Sequence, residues 1–258
     1  MENKIGMRIK WLGCAAFEMD FGGLTVVNDP WITENEATDL TWEDVEKCDY
    51  ITVTHTHFDH ITDIPALVKK FDPRMLVGQM SAMPLMKYSD ITPMKLYPVN
   101  PGLELDFGAV KIKALFGRHS MLGATYTAVE QRVGRWRAPW DTPLMQEMGI
   151  LGGFEYINYL FTLPNGKTVL IWGNELTVEQ CNMLRELKPD VAILQMTRND
   201  PEQTAKLCAE MGCQVVMPHH IDFTKDYTHL AVALGEELKK HAPEARYIHP
   251  EYGKWYEL

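Results

Sequence analysis

The sequence predicts an α+β chain in which two β-sheets pack face to face with helices outside. Short β-branched and apolar runs cluster early in each half, and runs of helical period with cap signals follow them. Two compact turn signals, Gly22-Gly23 and Pro164-Asn165-Gly166, join neighbouring runs as hairpins. The length of 258 residues and the 46% apolar content suit one domain with a sizeable core over residues 1–258, or two small ones. Pattern alone leaves mixed α/β and α+β arrangements both open. No repeat of fixed short period is visible.

Residues 7–12 and 16–21 read as strands, and Gly22-Gly23 turns the chain into a third over 24–27. Asp29-Pro30 is a turn signal. Residues 32–48 are polar and irregular, with a short helix expected over 42–47. Ile51 and Val53 alternate with Thr52 and Thr54, as β-branched residues do on a pleated surface. Thr62 or Asp63 caps a helix over 64–71, with Pro65 in its first turn. A strand over 75–77 and a short helix over 81–88, interrupted by Pro84, come next. Strands over 95–99, 103–107 and 110–115 follow, with a turn at Asn100-Pro101-Gly102. Residues 120–153 do not read as core.

The second half alternates more plainly. Strands over 154–163 and 167–172 flank the Pro164-Asn165-Gly166 turn. Thr177 and Gln180 stand at capping-box spacing before a helix over 178–187. Residues 190–195 form a buried strand. A helix then runs from Asp200-Pro201 to a stop at Gly212. A strand over 214–217, a helix over 229–241 and a last strand over 246–248 complete the chain.

The chemistry concentrates in Thr54-His55-Thr56-His57-Phe58-Asp59-His60, which holds three of the nine histidines. His55 and His57 are two apart, so in an extended segment they point the same way and share one cation. Asp59 and His60 fall where the chain begins to turn and face a second cation a few ångströms away. The run lies on a strand-to-helix loop at a strand's carboxyl end, where open α/β sheets place ligands. Imidazole and carboxylate suit zinc, and manganese also fits a set with no thiolate. One or two divalent cations per chain are expected.

The net charge of −10 opposes general binding of nucleic acid or an anionic membrane. Five cysteines, an odd number with no C-x-x-C pair, read as reduced and mostly buried thiols of a cytoplasmic protein. The first residues hold no long apolar run, so no signal peptide is expected, and no stretch is apolar for long enough to span a membrane.

The 54–60 run resembles the signature loop of the metallo-β-lactamase superfamily. Trp11-Leu12-Gly13, Val27-Asn28-Asp29-Pro30-Trp31 and Pro218-His219-His220 extend the likeness over nearly the whole chain. The pattern is most similar to the branch that includes L-ascorbate-6-phosphate lactonase. The resemblance implies a four-layer αββα sandwich, with Asp29 bracing the metal loop. It implies that His119 completes a three-histidine set with His55 and His57, leaving an open position for water. His220, two after Pro218, would join Asp59 and His60 on a second cation. His219 would then face substrate or lie behind the ligands, with a plain loop histidine as the even alternative. His229, His241 and His249 read as solvated or structural.

The family's bridging aspartate, in a Gly-Asp pattern, corresponds to Gly173-Asn174-Glu175 here. A neutral amide is a poor bridge between cations. Three readings stay open: Glu175 reaches in, Asn174 binds one cation only, or one cation is tight and the other weak. The motif specifies a metal site far better than a substrate.

Residues 120–153 follow His119 directly and are placed to cover the site. Arg118, Arg132, Arg135 and Arg137 are a local basic run in an acidic chain. Arg118, Arg135 and Arg137, with Tyr126 and His219, are candidates to hold a small anionic substrate. An inter-subunit contact or surface ion pairs are the equal alternative, and a homo-oligomer remains open. The expected activity is metal-dependent hydrolysis, in which a metal-bound hydroxide attacks a lactone or a similar ester or amide. Asp59 would orient the water or accept its proton, with His60 beside it. No G-x-S-x-G elbow offers a protein nucleophile. The alternatives are a phosphodiesterase or a non-catalytic metal- or ligand-binding protein, the latter favoured by Asn174.

Overall fold

Alternation along the strands decides which layer each sheet face meets. The computed structural model describes residues 4–119, 142–222 and 227–258. One sheet holds β1 (Arg8–Gly13), β2 (Ala16–Asp20), β3 (Thr25–Asn28), β4 (Tyr50–Thr52), β5 (Arg74–Gly78) and β6 (Leu96–Val99) side by side. The other holds β7 (Glu104–Asp106), β8 (Lys111–Phe116), β9 (Ile157–Thr162), β10 (Thr168–Trp172), β11 (Val191–Gln195), β12 (Val215–His219) and β13 (Arg246–Tyr247). A last strand, β14 (Trp255–Glu257), returns to pair antiparallel with β1.

Ile9, Phe17, Met19, Val26 and Leu76 from the first sheet join Ile112, Tyr159, Phe161 and Ile171 from the second in one buried cluster. Phe21 stacks on Phe161 with ring centroids 5.4 Å apart. Residues of the alternate strand positions, Leu12, Val27, Ile51, Met75 and Val77, belong to a separate cluster on the outer face of the first sheet. That face is covered by α1 (Ile64–Phe71), α2 (Ala82–Ser89) and α3 (Pro143–Phe154), through Ile64, Leu67, Leu85, Met145 and Met148. The second sheet packs with α4 (Val178–Leu187), α5 (Pro201–Met211) and α6 (Thr228–His241), through Leu184, Leu207 and Leu234. The result is the four-layer αββα sandwich.

Each sheet is antiparallel along one half and parallel along the other. Parallel neighbours need a crossover, and helices supply it between β4 and β5, β5 and β6, β10 and β11, β11 and β12, and β12 and β13. The Tyr159 hydroxyl lies 2.9 Å from the Val53 carbonyl and 3.2 Å from that of Leu76, bonding one sheet to the other.

Several local expectations change. The 42–47 helix shrinks to a single 3₁₀ turn, Trp42–Asp44, held by a capping box from Thr41. Pro84 does not interrupt α2, because it lies in the first turn, where the helix needs no donor from it. Asp63 sits at the cap of α1 but makes no side-chain cap bond. Its carboxylate instead accepts the Ile32 and Thr33 N–H groups, at 2.6 and 2.9 Å. The largest correction concerns 143–153, which form a helix with one face packed in the core rather than a loop. They form α3, started by Thr142, whose hydroxyl accepts the Met145 N–H at 3.2 Å, with Pro143 at the first helical position. No helix among the described residues is long and apolar enough to cross a membrane.

Candidate metal centre

Strand carboxyl ends deliver the site. β1 and β3 run the same way because β2 reverses between them, and β4 is parallel to β3. The turn at Cys14-Ala15, Asp29 and the 54–60 loop therefore leave the first sheet at one end. In the second sheet β8 and β10 both flank β9 antiparallel, and β11 and β12 are parallel to β10. His119, Gly173-Asn174 and His220 leave that sheet at a common end too. The Ile157 N–H donates to the Thr54 carbonyl at 2.9 Å and ties the two ends together.

Two groups of donors result. One ligand atom each from His55, His57 and His119 lie within 4.8 Å of one another. One each from Cys14, Asp59 and His220 do the same. His60 stands between them, its ring centroid 4.1 Å from that of His55 and 5.7 Å from that of His220. Its Nε2 lies 3.4 Å from Asp59 Oδ2, the same separation as His220 Nε2. Cys14 is a position that the sequence reading counted only as a buried thiol.

Hydrogen-bond partners set the orientation of several of these rings. Asp29 accepts the Thr54 N–H and the Thr54 hydroxyl, both at 2.7 Å, and the His60 Nδ1–H at 2.9 Å. The Thr54 hydroxyl has thus spent its proton on Asp29, and at 3.1 Å it accepts the Nδ1–H of His55. His55 is thereby set to offer Nε2 to a cation, while His60 turns its Nε2 toward Asp59. His57 is reversed: its Nε2–H donates to the Gly149 carbonyl at 3.1 Å, so Nδ1 is the nitrogen it can offer to a cation. The Thr197 hydroxyl donates to the His220 carbonyl and stands 3.4 Å from His220 Nδ1, leaving Nε2 toward Asp59. Rings held through one nitrogen by an oxygen, with the other nitrogen turned toward the donor groups, are the arrangement of histidine metal ligands. The donor set therefore fits divalent cations.

Electrostatics agree. Burial first, and then the neighbouring histidines, hold the His55 and His119 imidazoles well below their usual range, so both are neutral near pH 7. Burial takes His57 down to about 4, with Asp59 opposing. Burial also disfavours the His60 cation, but Asp59 and Asp29 overcome it and push that ring up to about 10. Burial raises the Asp59 carboxyl, yet His60 and His220 beside it hold it well below its ordinary value. Asp59 is therefore an ionised carboxylate enclosed by protein. An entering dication competes with the proton on His60 for that charge.

The bridging position is used otherwise. Asn174 Oδ1 accepts from Asn158 Nδ2 at 2.7 Å and from the Arg118 N–H at 3.3 Å, while its Nδ2 donates to the Arg118 carbonyl at 2.9 Å. Asn174 thus fastens the backbone that presents His119. Glu175 lies 3.7 Å from Arg198 rather than in either donor group. His219 does not face substrate. It is 1% exposed, with Nε2 3.1 Å from the Trp172 carbonyl and its ring edge-on to Phe17, because the strand alternation that turns His220 out turns His219 into the core. Arg118 is exposed beside His119. Tyr126, Arg132, Arg135 and Arg137 lie outside the described residues. Of the remaining histidines, His229 is exposed, and His241 lies 3.6 Å from Glu237.

Sequence reasoning missed three contributors besides Cys14. Tyr156 stacks on His55, ring centroids 4.5 Å apart at 25°. A Cβ at Gly173 would stand 1.9 Å from the Tyr156 hydroxyl, so the glycine before Asn174 is required by that approach. Asp222 accepts the Cys14 N–H with both oxygens, at 2.9 and 3.1 Å. Arg198 depresses His119 electrostatically and so adds positive charge beside the site. The helical start signal Thr142-Pro143 would have found α3, which closes over the metal loop: the Thr56 hydroxyl donates to the Met148 carbonyl at 2.7 Å.

Comparison with known proteins is consistent with this geometry. A family model described as "Beta-lactamase superfamily domain" matches residues 8–220. A "UPF0173 metal-dependent hydrolase" of Shouchella clausii is 27% identical over 218 residues, covering 83% of this chain and 85% of that protein. Among solved structures, Igni18, described as a novel metallo hydrolase from Ignicoccus hospitalis, superposes with a TM-score of 0.68 at 19% identity, over 98% of this chain and 99% of the other. A possible metal-dependent hydrolase from Veillonella parvula gives the same TM-score at 14% identity, over 97% and 99%. At those identities the structural likeness concerns the fold.

Proposed function

This chain belongs to the beta-lactamase superfamily, and from that premise we propose that it is a metal-dependent hydrolase of a small anionic lactone or a similar ester or amide. The observation that carries the reading is the convergence of His55, His57 and His119, three neutral imidazoles from two sheets, within 4.8 Å. Three protein donors with an open position suit catalytic zinc, the cation we favour over manganese. A bound divalent cation there supplies a Lewis acid and an acidified water.

The chain's own residues do the rest. His55 and His57 present Nε2 and Nδ1, held by Thr54 and Gly149. Asp59, held ionised by the histidines beside it, would orient a nucleophilic water by accepting its hydrogen bond, or would accept its proton. His60 holds its proton at Nδ1 on Asp29 and keeps Asp59 in place through Nε2. Arg118 and Arg198 place positive charge at the rim, suited to a carboxylate or phosphate on the substrate. Arg135, Arg137 and Tyr126, in the 120–153 segment, are proposed to complete that anion site. We take residues 1–258 as a single domain, working as a cytoplasmic enzyme on a small molecule, with no nucleic-acid or membrane partner.

The test is turnover by purified protein before and after chelation, on γ- and δ-lactones, p-nitrophenyl acetate and bis-p-nitrophenyl phosphate. Lactone or ester hydrolysis that disappears with chelator and returns with zinc is the expected result. Turnover confined to the phosphodiester would move the substrate class, and no turnover by fully metal-loaded protein would contradict the reading.

A further inference from the structure

We propose that Cys14 is a thiolate ligand of the second cation position, so that the two positions differ in kind. One is built from imidazole nitrogen alone. The other combines sulfur, carboxylate and imidazole from Cys14, Asp59 and His220, with His60 adjoining. The proposal rests on the metal-dependent reading above and deepens it.

The first support is position. The Cys14 sulfur shares a 4.8 Å donor group with Asp59 and His220, and all three residues are buried. The second is backbone conformation. Cys14 has φ of 44°, in the left-handed region, on the tight turn between β1 and β2. Glycine adopts that conformation freely, whereas a side chain there costs about 1 kcal/mol or more. Asp29, with φ of 42°, and His220, with φ of 57°, share this strain. Three left-handed non-glycine residues thus surround one donor group. Two of them offer donors to it, and the third holds His60. Strain kept at positions where glycine would relieve it points to the side chains as the reason.

The third support is how firmly the turn is held. The Cys14 carbonyl accepts the His220 N–H at 3.0 Å and the Trp11 Nε1–H at 3.1 Å. The same peptide unit therefore joins the strands that carry Cys14 and His220. Asp222, which receives the Cys14 N–H, also receives Asn35 Nδ2 at 2.8 Å and the Tyr252 hydroxyl at 3.0 Å. A Cβ at Gly13 would lie 2.5 Å from that Asn35 amide, so the turn approaches as closely as a glycine permits.

The fourth support is donor chemistry. Asn174 commits its amide to Arg118 and Asn158, so no carboxylate comes from that strand. Cys14 supplies the missing anionic donor from the opposite sheet. On binding, the S–H proton leaves to solvent as the sulfur–metal bond forms. One thiolate and one carboxylate then balance a dication. Such a set selects zinc or cobalt over manganese, which prefers oxygen.

The experiment uses the full chain, stripped of metal and titrated with Co(II) and, separately, Zn(II). The second equivalent of Co(II) should bring sulfur-to-cobalt charge-transfer absorption in the near ultraviolet. X-ray absorption of the zinc form should show a sulfur neighbour at about 2.3 Å. Cys14→Ser should retain the first equivalent and weaken the second by about tenfold or more, whereas Cys48→Ser should bind as the parent does. A parent protein with no charge-transfer band and only nitrogen and oxygen neighbours overturns the proposal, whether or not Cys14→Ser folds. Sulfur ligation in a protein that hydrolyses nothing on the panel supports this proposal and refutes the hydrolase reading. Hydrolysis without sulfur ligation does the reverse.

Discussion

Histidine 219 and histidine 220 are adjacent in sequence and opposite in role. His220 leaves the end of β12 in a left-handed turn and meets Asp59, while His219 is still on the strand and points into the core. Burial pushes His219 down to about 3 and His57 down to about 4. The unfolded chain takes up both protons below about pH 6.5 and the folded chain refuses them, so stability rises with pH from about 4 to 6.5 and falls on acidification. His60 has the opposite sign. Raised to about 10, it adds stability that is complete below about pH 6.5 and is lost as pH climbs toward 10. Denaturant midpoints of the chelated chain should therefore peak near neutrality, and His219→Leu should flatten the acid limb by up to about one proton. An acid limb unchanged by that substitution would remove His219 from the account. At this scale the sequence was legible where spacing alone makes chemistry, as in His55, His57, Asp59 and His60. His119 and His220 needed the family resemblance. Cys14, Tyr156 and Asp222 were not legible, because each acquires its meaning from a residue far off in the chain: Cys14 from Asp222 and His220, Tyr156 from His55 and Gly173.

Helix α3 was the element most poorly read from the sequence, and it bears directly on the metal loop. Its glycines at 149, 152 and 153 look like loop composition, yet Gly152 lets the helix lie against His57 and Thr56. A Cβ at Gly152 would come within 2.8 Å of His57 Cδ2 and 2.9 Å of the His57 backbone nitrogen. Gly152→Ala must move the helix or the loop. It should cost about 1–3 kcal/mol in stability and weaken metal binding as well, read by thermal melting and chelator competition. A variant with parent-like melting and affinity would show that α3 does not clamp the loop. Glu155, just past this helix, accepts the Met80 and Ser81 N–H groups at 2.9 Å, so α3 also secures the start of α2. Strands and caps were more legible, since β-branched alternation and the Thr177 to Gln180 box depend only on near neighbours. The short β14 was missed, because its pairing with β1 is set by the far end of the chain.

Across the whole molecule, the two sheets matter because neither carries a complete site. The first brings His55, His57, Asp59, His60 and Cys14, and the second brings His119 and His220, while Tyr159 and the Ile157-to-Thr54 bond hold the two in register. Strand clustering narrowed the fold to a mixed α/β or α+β arrangement and the family resemblance supplied the four-layer sandwich, but the register between sheets was not legible, since side-chain contacts across the core set it. The most direct measurement is a crystal of the zinc-soaked full chain with anomalous difference maps collected at the zinc edge. The account predicts one peak enclosed by His55, His57 and His119, and a second against Asp59, His60 and His220. Maps with no peak among the three imidazoles, at full zinc occupancy elsewhere, would contradict it.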